Sequence, residues 1–321
     1  MTSRIPKLLI ALPLLLALLL SAGQSVAADL PTLKVGYLPI THSLAVVVAD
    51  QLNAGKYQNL KVELVKFSSW PELLDAYNAG QIQAASELLV LALAGAERGI
   101  PESVVALSHR HGDILTVAKE INSVKDLKGK RVAIPHRMSV HNILLSQALK
   151  KEGLTLKDVE WIEMPPPDMP AALARGDIKG FIVAEPFGSK AISAGFGKEL
   201  LNAKEIWPDY ICCGLVINPA FKKQYPAATR EYVTSFAAAG KFIDANRKEA
   251  ITIARKYINI DEKLFDEALS HGASYSDLQI KREEVEQLQR YALELNLLKK
   301  PVDLDQLLDL TLLPPIAKGS K

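Results

Sequence analysis

Apolar positions along the chain switch between two spacings. "LKVGYLP" (33–39), "KVELVKF" and "IQAASEL" are short runs of strand length, whereas "SLAVVVADQLNAGKY" and "WPELLDAYNAG" repeat apolar residues at helical spacing. A helical "LLVLALAGAERG" and the paired runs "ESVVALS" and "DILTVAK" follow. Strands alternating with helices across short connections predict a parallel sheet covered on both faces. The polar connector "INSVKDLKGK" then precedes a restart, with a strand at 130–135, a helix at 139–151, and "VEWIEM", "MPAALARG", "GFIVAE", "FGSKAISAG" and "CCGLVIN". From Pro219 onward the chain reads as amphipathic helix, which needs a sheet to cover. The expected fold class is α/β, with two doubly wound lobes, a hinge and a ligand cleft. Lobe one comprises 28–118 and 219–321, with the helical C-terminus on it, and lobe two comprises 119–218.

The first residues change the picture of where this protein works. Arg4 and Lys7 precede an apolar run and then small residues ending in Ser25-Val26-Ala27. This is the pattern of a secretory signal peptide, residues 1–27, cleaved after Ala27. A periplasmic product is expected, without a lipid anchor, because no cysteine follows the cleavage region. Removing Arg4 and Lys7 leaves 38 − 2 = 36 basic residues against 36 acidic ones. That balance lacks the basic stripe of a nucleic-acid binder, so no nucleic-acid partner is expected. The two cysteines, Cys212 and Cys213, are adjacent and cannot close a stabilising loop.

In open α/β sheets ligands sit beyond the carboxyl ends of strands. Those positions here are "PITHS" (39–43), "SSW" (68–70), "SEL" (86–88), "SHRHGD" (108–113), "PHRMSVHN" (135–142), "MPPPDM" (164–169) and "AEPFG" (184–188). Five of the six histidines fall in them, which favours a ligand cleft over scattered surface residues. The candidate binding residues from these loops include His42, Trp70 as a stacking wall, Ser86, Glu87, His136, Arg137, Ser139 and Asn142. Ser139 also caps the helix that follows, Arg137 suits a sulfonate or carboxylate, and Glu87 requires a cationic partner if buried. His109, His111 and Asp113 have a spacing that a metal can use, but such pairs are common in exposed turns; neither a metal nor another cofactor is assigned.

At "MPPPDMPAALARGDIKGFIVAEPF" (164–187), with "SVHN" and "GLTLKDV" upstream, the sequence resembles the periplasmic solute-binding proteins for nitrate, bicarbonate, sulfonates and taurine, a group that includes binders of thiamine-pyrimidine precursors. The resemblance implies the type II periplasmic binding protein fold, capture of a small solute by lobe closure, no chemistry, and delivery to ABC permease and ATPase subunits. It implies contact with the membrane only through the permease, and a monomer is expected. It places His141 on the ligand and Ala184, Glu185 and Phe187 along the cleft. Where the nitrate branch has a lysine, this chain has Cys212 and Cys213, with Cys213 assigned to the cleft. This leaves a small anionic or zwitterionic solute such as a sulfonate, taurine or a heterocyclic precursor. The alternatives are an enzyme of thiamine-pyrimidine type and a periplasmic sensor subunit. A vicinal disulfide lining the cleft is the second expectation at this dipeptide; the first is two cysteines pointing to opposite faces of a strand.

Overall fold

A computed structural model describes residues 29–313. The signal-peptide reading of residues 1–27 lies outside the described residues, and among these no helix is long and apolar enough to cross a membrane. The strands divide between two five-stranded sheets. The first has β1 (Thr32–Tyr37), β2 (Lys61–Lys66), β3 (Ala84–Leu88), β4 (Ser103–Leu107) and β10 (Cys213–Ile217), in the order β2-β1-β3-β10-β4. The second has β5 (Asp113–Ala118), β6 (Arg131–Ile134), β7 (Glu160–Glu163), β8 (Gly180–Ala184) and β9 (Gly197–Asn202), in the order β7-β6-β8-β5-β9.

Each sheet takes one strand from the far side of a crossing. β5 runs antiparallel to β8 and β9, and β10 runs antiparallel to β3 and β4. Both sheets are therefore mixed, which corrects the expectation of parallel sheets. The lobe boundaries move as well: 113–118 joins the second sheet and 213–217 the first, so the crossings fall between β4 and β5 and between β9 and β10. The reason is physical. β5 and β10 are buried at every position, so their apolar runs fit either core and no face pattern betrays which sheet they enter. β9, whose "GKELLN" is only half-buried, has no counterpart among the expected strands.

The long helix Pro226–Ala245 packs on Leu44–Asn53 of the first lobe, as expected for the C-terminal helices. Others reach further. Glu262–Ser270 packs on Phe187–Ser193 of the second lobe, and Arg282–Glu294 touches both Leu89–Glu97 and Val140–Lys151. The C-terminal region thus straps the lobes together, and one apolar cluster runs continuously from Leu38 and Leu89 in the first lobe to Ile134, Leu144 and Phe181 in the second.

Candidate functional site: a buried histidine–cysteine cluster between the lobes

The carboxyl ends of β1, β3 and β4, the start of β5, the start of the helix Val140–Lys151 and the returning segment before β10 converge at one point. His42 is carried by the 3-10 turn Thr41–Ser43 directly after β1. His109 follows β4, Asp113 opens β5, and His141 lies in the first turn of its helix. Cys212 and Cys213 arrive on the segment that returns to the first sheet. None of these six side chains is more than 1% exposed.

Local sequence explains each placement. Ser139 accepts the backbone N–H of Asn142 at 3.3 Å, which starts the helix so that His141 faces the lobe boundary. Asn142 donates from Nδ2 to the Arg137 carbonyl at 2.9 Å, pinning the entering loop. The backbone at Gly112 has φ +93, a left-handed conformation that glycine adopts without strain, and the turn there sends the chain from His109 back to Asp113. Tyr210 receives the Asp113 backbone N–H on its hydroxyl at 3.0 Å, so the two crossing segments are held side by side.

The polar contacts form a connected set. His141 Nε2 lies 2.8 Å from Asp113 Oδ1, and His42 Nε2 lies 3.6 Å from the same oxygen. Cys213 Sγ lies 3.7 Å from His42 Nδ1 and 3.6 Å from Cys212 Sγ. The rings of His42 and His109 stack with centroids 3.4 Å apart. His109 Nδ1 is 2.7 Å from the His111 carbonyl, and because a carbonyl only accepts, that nitrogen carries the ring proton. His109 Nε2 is then a bare acceptor, buried without a hydrogen-bond partner.

Charge follows from these contacts. Burial alone raises the Asp113 carboxyl, but His42, His141 and His109 outweigh it and hold the group below its ordinary range. Burial lowers His42, yet Asp113, Cys213 and the Gly112 backbone raise it on balance. His109 is lowered by burial and by His42. The Cys213 thiol, pushed up by burial, is brought well below its ordinary value by Cys212, His109 and His42, while burial and Cys213 together raise Cys212. The two sulfurs are therefore shifted in opposite directions, Cys213 down beside the imidazoles and Cys212 up.

Of the residues expected on the ligand, His42, His141 and Cys213 meet in this cluster. Ser86 borders it, with its hydroxyl 2.8 Å from that of Ser108 and 3.5 Å from the His42 carbonyl. Ala184 pairs with Asp113 in the sheet. Glu185 is buried beside the boundary, with Oε2 accepting the Ser189 N–H at 3.0 Å and Oε1 3.8 Å from His271; burial pushes its carboxyl up to about 7. Phe187 is buried and carries Lys190 Nζ 5.2 Å from its ring centroid.

The remaining candidates lie outside this cluster. Arg137 is turned to the surface, 65% exposed, in an ion pair with Glu163. His136 accepts the Met138 N–H at 3.0 Å and sits 3.9 Å from the same Glu163, because their loop bends away from the boundary before the helix begins. Trp70 is buried in the large apolar cluster with its indole N–H unpaired, the core rather than the wall of an open cleft. Glu87 is fully buried and neither oxygen has a hydrogen-bond partner; instead of meeting a cation its carboxyl is pushed up to about 8, first by burial and then by Cys213. Cys212 and Cys213 are free thiols, and their sulfurs face each other, since Cys212 precedes the strand and the alternation of strand faces does not apply to it. Cys212, His109 and Asp113 join the cluster without having been expected as binding residues; the loop "SHRHGD" carries the signal for two of them.

The sequence matches the NMT1-like family over residues 27–259. The chain belongs to the NMT1-like family. A ligand-binding component of an ABC-type import system from Staphylococcus aureus, solved with zinc bound, is 31% identical, with a TM-score of 0.83 over 88% of this chain and 97% of that one. A putative aliphatic sulfonates-binding protein of Escherichia coli is 26% identical over 74% of this chain and 75% of its own length. The nitrate import ATP-binding protein NrtC of Synechocystis sp. is 25% identical over 67% of this chain, but this NMT1-like chain spans only 35% of that longer protein. The two-lobed fold of this NMT1-like protein is that of periplasmic binding proteins.

Proposed function

We propose that this NMT1-like protein is the extracytoplasmic solute-binding component of an ABC importer, which captures a small solute by closing its two lobes over the buried cluster and hands it to permease and ATPase subunits as a monomer. The observation that carries this reading is the origin of the cluster. His42 and Cys213 come from the first sheet's side, Asp113 and His141 from the second, and none is reachable while the lobes are together. A site shared in this way opens and shuts with the hinge. The kinship with import-system binding components supports the same reading.

The cluster also bears on what is captured. Asp113, held below its ordinary range, stands in the middle of it, and the arginine expected to grip a sulfonate is bound to Glu163 at the surface. An inorganic or sulfonate anion would meet a carboxylate here, so the site favours a solute with a cationic or metal-like centre over the anion expected from the resemblance.

Small-angle scattering of the purified secreted chain, with and without solute, tests the reading. Compaction on solute addition is expected, and profiles that stay superimposable across nitrate, taurine, alkanesulfonates, thiamine precursors and divalent metals would count against a hinged receptor. Cell fractionation adds a second check, with the product expected in the periplasm without residues 1–27.

A further inference from the structure

The cluster contains four potential metal-donor atoms in close proximity. Cys212 Sγ, Cys213 Sγ and one ring nitrogen each from His42 and His109 lie within 4.8 Å of one another, all buried. Free sulfurs 3.6 Å apart are well short of bonding, since a disulfide holds its sulfurs at about 2.05 Å. A tetrahedral zinc ion, with bonds of about 2.3 Å to sulfur and about 2.0 Å to nitrogen, sets two sulfurs about 3.8 Å apart and a sulfur and nitrogen about 3.6 Å apart. The observed sulfur–sulfur and sulfur–nitrogen separations are 3.6 and 3.7 Å.

We infer that this NMT1-like protein binds one thiophilic divalent cation, with Zn²⁺ as the reference ion, through Cys212 Sγ, Cys213 Sγ, His42 Nδ1 and His109 Nε2. Two independent features support the assignment. His109 has its Nδ1 proton committed to the His111 carbonyl, which leaves Nε2 as a buried acceptor without a hydrogen-bond partner. Metal-bound histidines are held in this way, with the second nitrogen donating to a carbonyl or carboxylate. His42 presents Nδ1 towards Cys213, and its Nε2 faces Asp113 Oδ1 at 3.6 Å, an electrostatic contact longer than a hydrogen bond. Asp113 belongs to the second sheet, so the residue that orients His42 arrives only when the lobes meet.

Charge balance selects a divalent ion. Both cysteines coordinate as thiolates, any remaining thiol proton passing to solvent, and the two thiolates neutralise a 2+ charge, which a buried site requires. A monovalent soft ion would leave one negative charge uncompensated beside Asp113.

The inference rests on the proposed capture site but is tested separately. The secreted chain, stripped with chelator and reductant, is titrated with Zn²⁺ against a chromophoric competitor and with Co²⁺ as a spectroscopic probe. The expected result is one ion per chain, tetrahedral cobalt bands and a thiolate charge-transfer band. X-ray absorption of the zinc form should show two sulfur and two nitrogen neighbours, a readout that needs no variant. Cys212→Ser and Cys213→Ser should each weaken zinc by more than the 10- to 100-fold typical of losing a supporting partner, and Asp113→Asn by about 10- to 100-fold. Absence of the thiolate band, a shell of oxygen and nitrogen only, or unchanged affinity in folded Cys213→Ser would overturn the assignment. If zinc fails while an organic solute compacts the chain, the receptor reading stands and only the metal falls; if zinc binds through both sulfurs and no solute or ion compacts the chain, the metal stands and the receptor falls.

Discussion

Thr41 and Glu185 are joined twice across the lobe boundary: the Thr41 backbone N–H and its hydroxyl both donate to the Glu185 carbonyl, at 2.8 and 3.0 Å. Thr41 immediately precedes His42, and its own carbonyl accepts the Tyr275 hydroxyl at 2.9 Å. The turn that carries a cluster histidine is therefore part of the latch that holds the lobes together.

Thr41→Val keeps the backbone bond and removes the hydroxyl. The closed form should lose about 1 kcal/mol, the usual net worth of one such bond, and the bound solute should leave about fivefold faster. Stopped-flow release measurements check this, and an unchanged rate would mean the latch lies elsewhere.

Asp113→Asn removes the charge that faces His42 and His141 in a fully buried setting. Breaking a buried ionic contact from one side costs about 3–5 kcal/mol, so the midpoint of urea denaturation should fall sharply at neutral pH. The pH dependence has a definite sign. The folded chain holds this carboxyl below its ordinary value of 3.8, so its stabilisation is present above that value and is lost as pH falls through the depressed one. The variant should lack this acid-limb contribution.

Glu102 is the opposite case. Burial, and then Glu87, push its carboxyl from 4.5 to about 10, against a smaller opposing effect of Arg98. The folded chain keeps a proton that the unfolded chain gives up, so stability is greatest below 4.5 and declines as pH rises towards about 10. Glu102→Gln should flatten this decline and make the protein more stable than the parent at pH ~9. Denaturant titrations at acidic and alkaline pH decide it; parallel pH profiles for parent and variant would show that Glu102 ionises normally.

Arg137→Ala should leave both solute affinity and zinc affinity unchanged. Its ion pair with Glu163 is surface-exposed, and such pairs contribute about 0–1 kcal/mol to stability. A large loss of affinity on isothermal titration would show that the loop swings inward when ligand binds.

Much of this protein was legible in its residue order. The alternation of strand and helical spacing between Leu33 and Ile217 identified an α/β chain with two lobes, and the rule that ligands lie beyond strand carboxyl ends picked out the loops of His42, His141 and the "SHRHGD" turn. These are local properties, set by side-chain periodicity and capping within a few residues of each position. Tertiary structure decided the rest. Only the crossing of the chain determined that β5 joins the second sheet and β10 the first, because a strand buried on both faces carries no mark of its neighbour. The return crossing turned Cys212 inward and set Cys213 within 3.7 Å of a histidine 171 residues away, while the bend of its own loop turned Arg137 outward. Distances of that kind depend on how two lobes meet, and no spacing along the sequence encodes them.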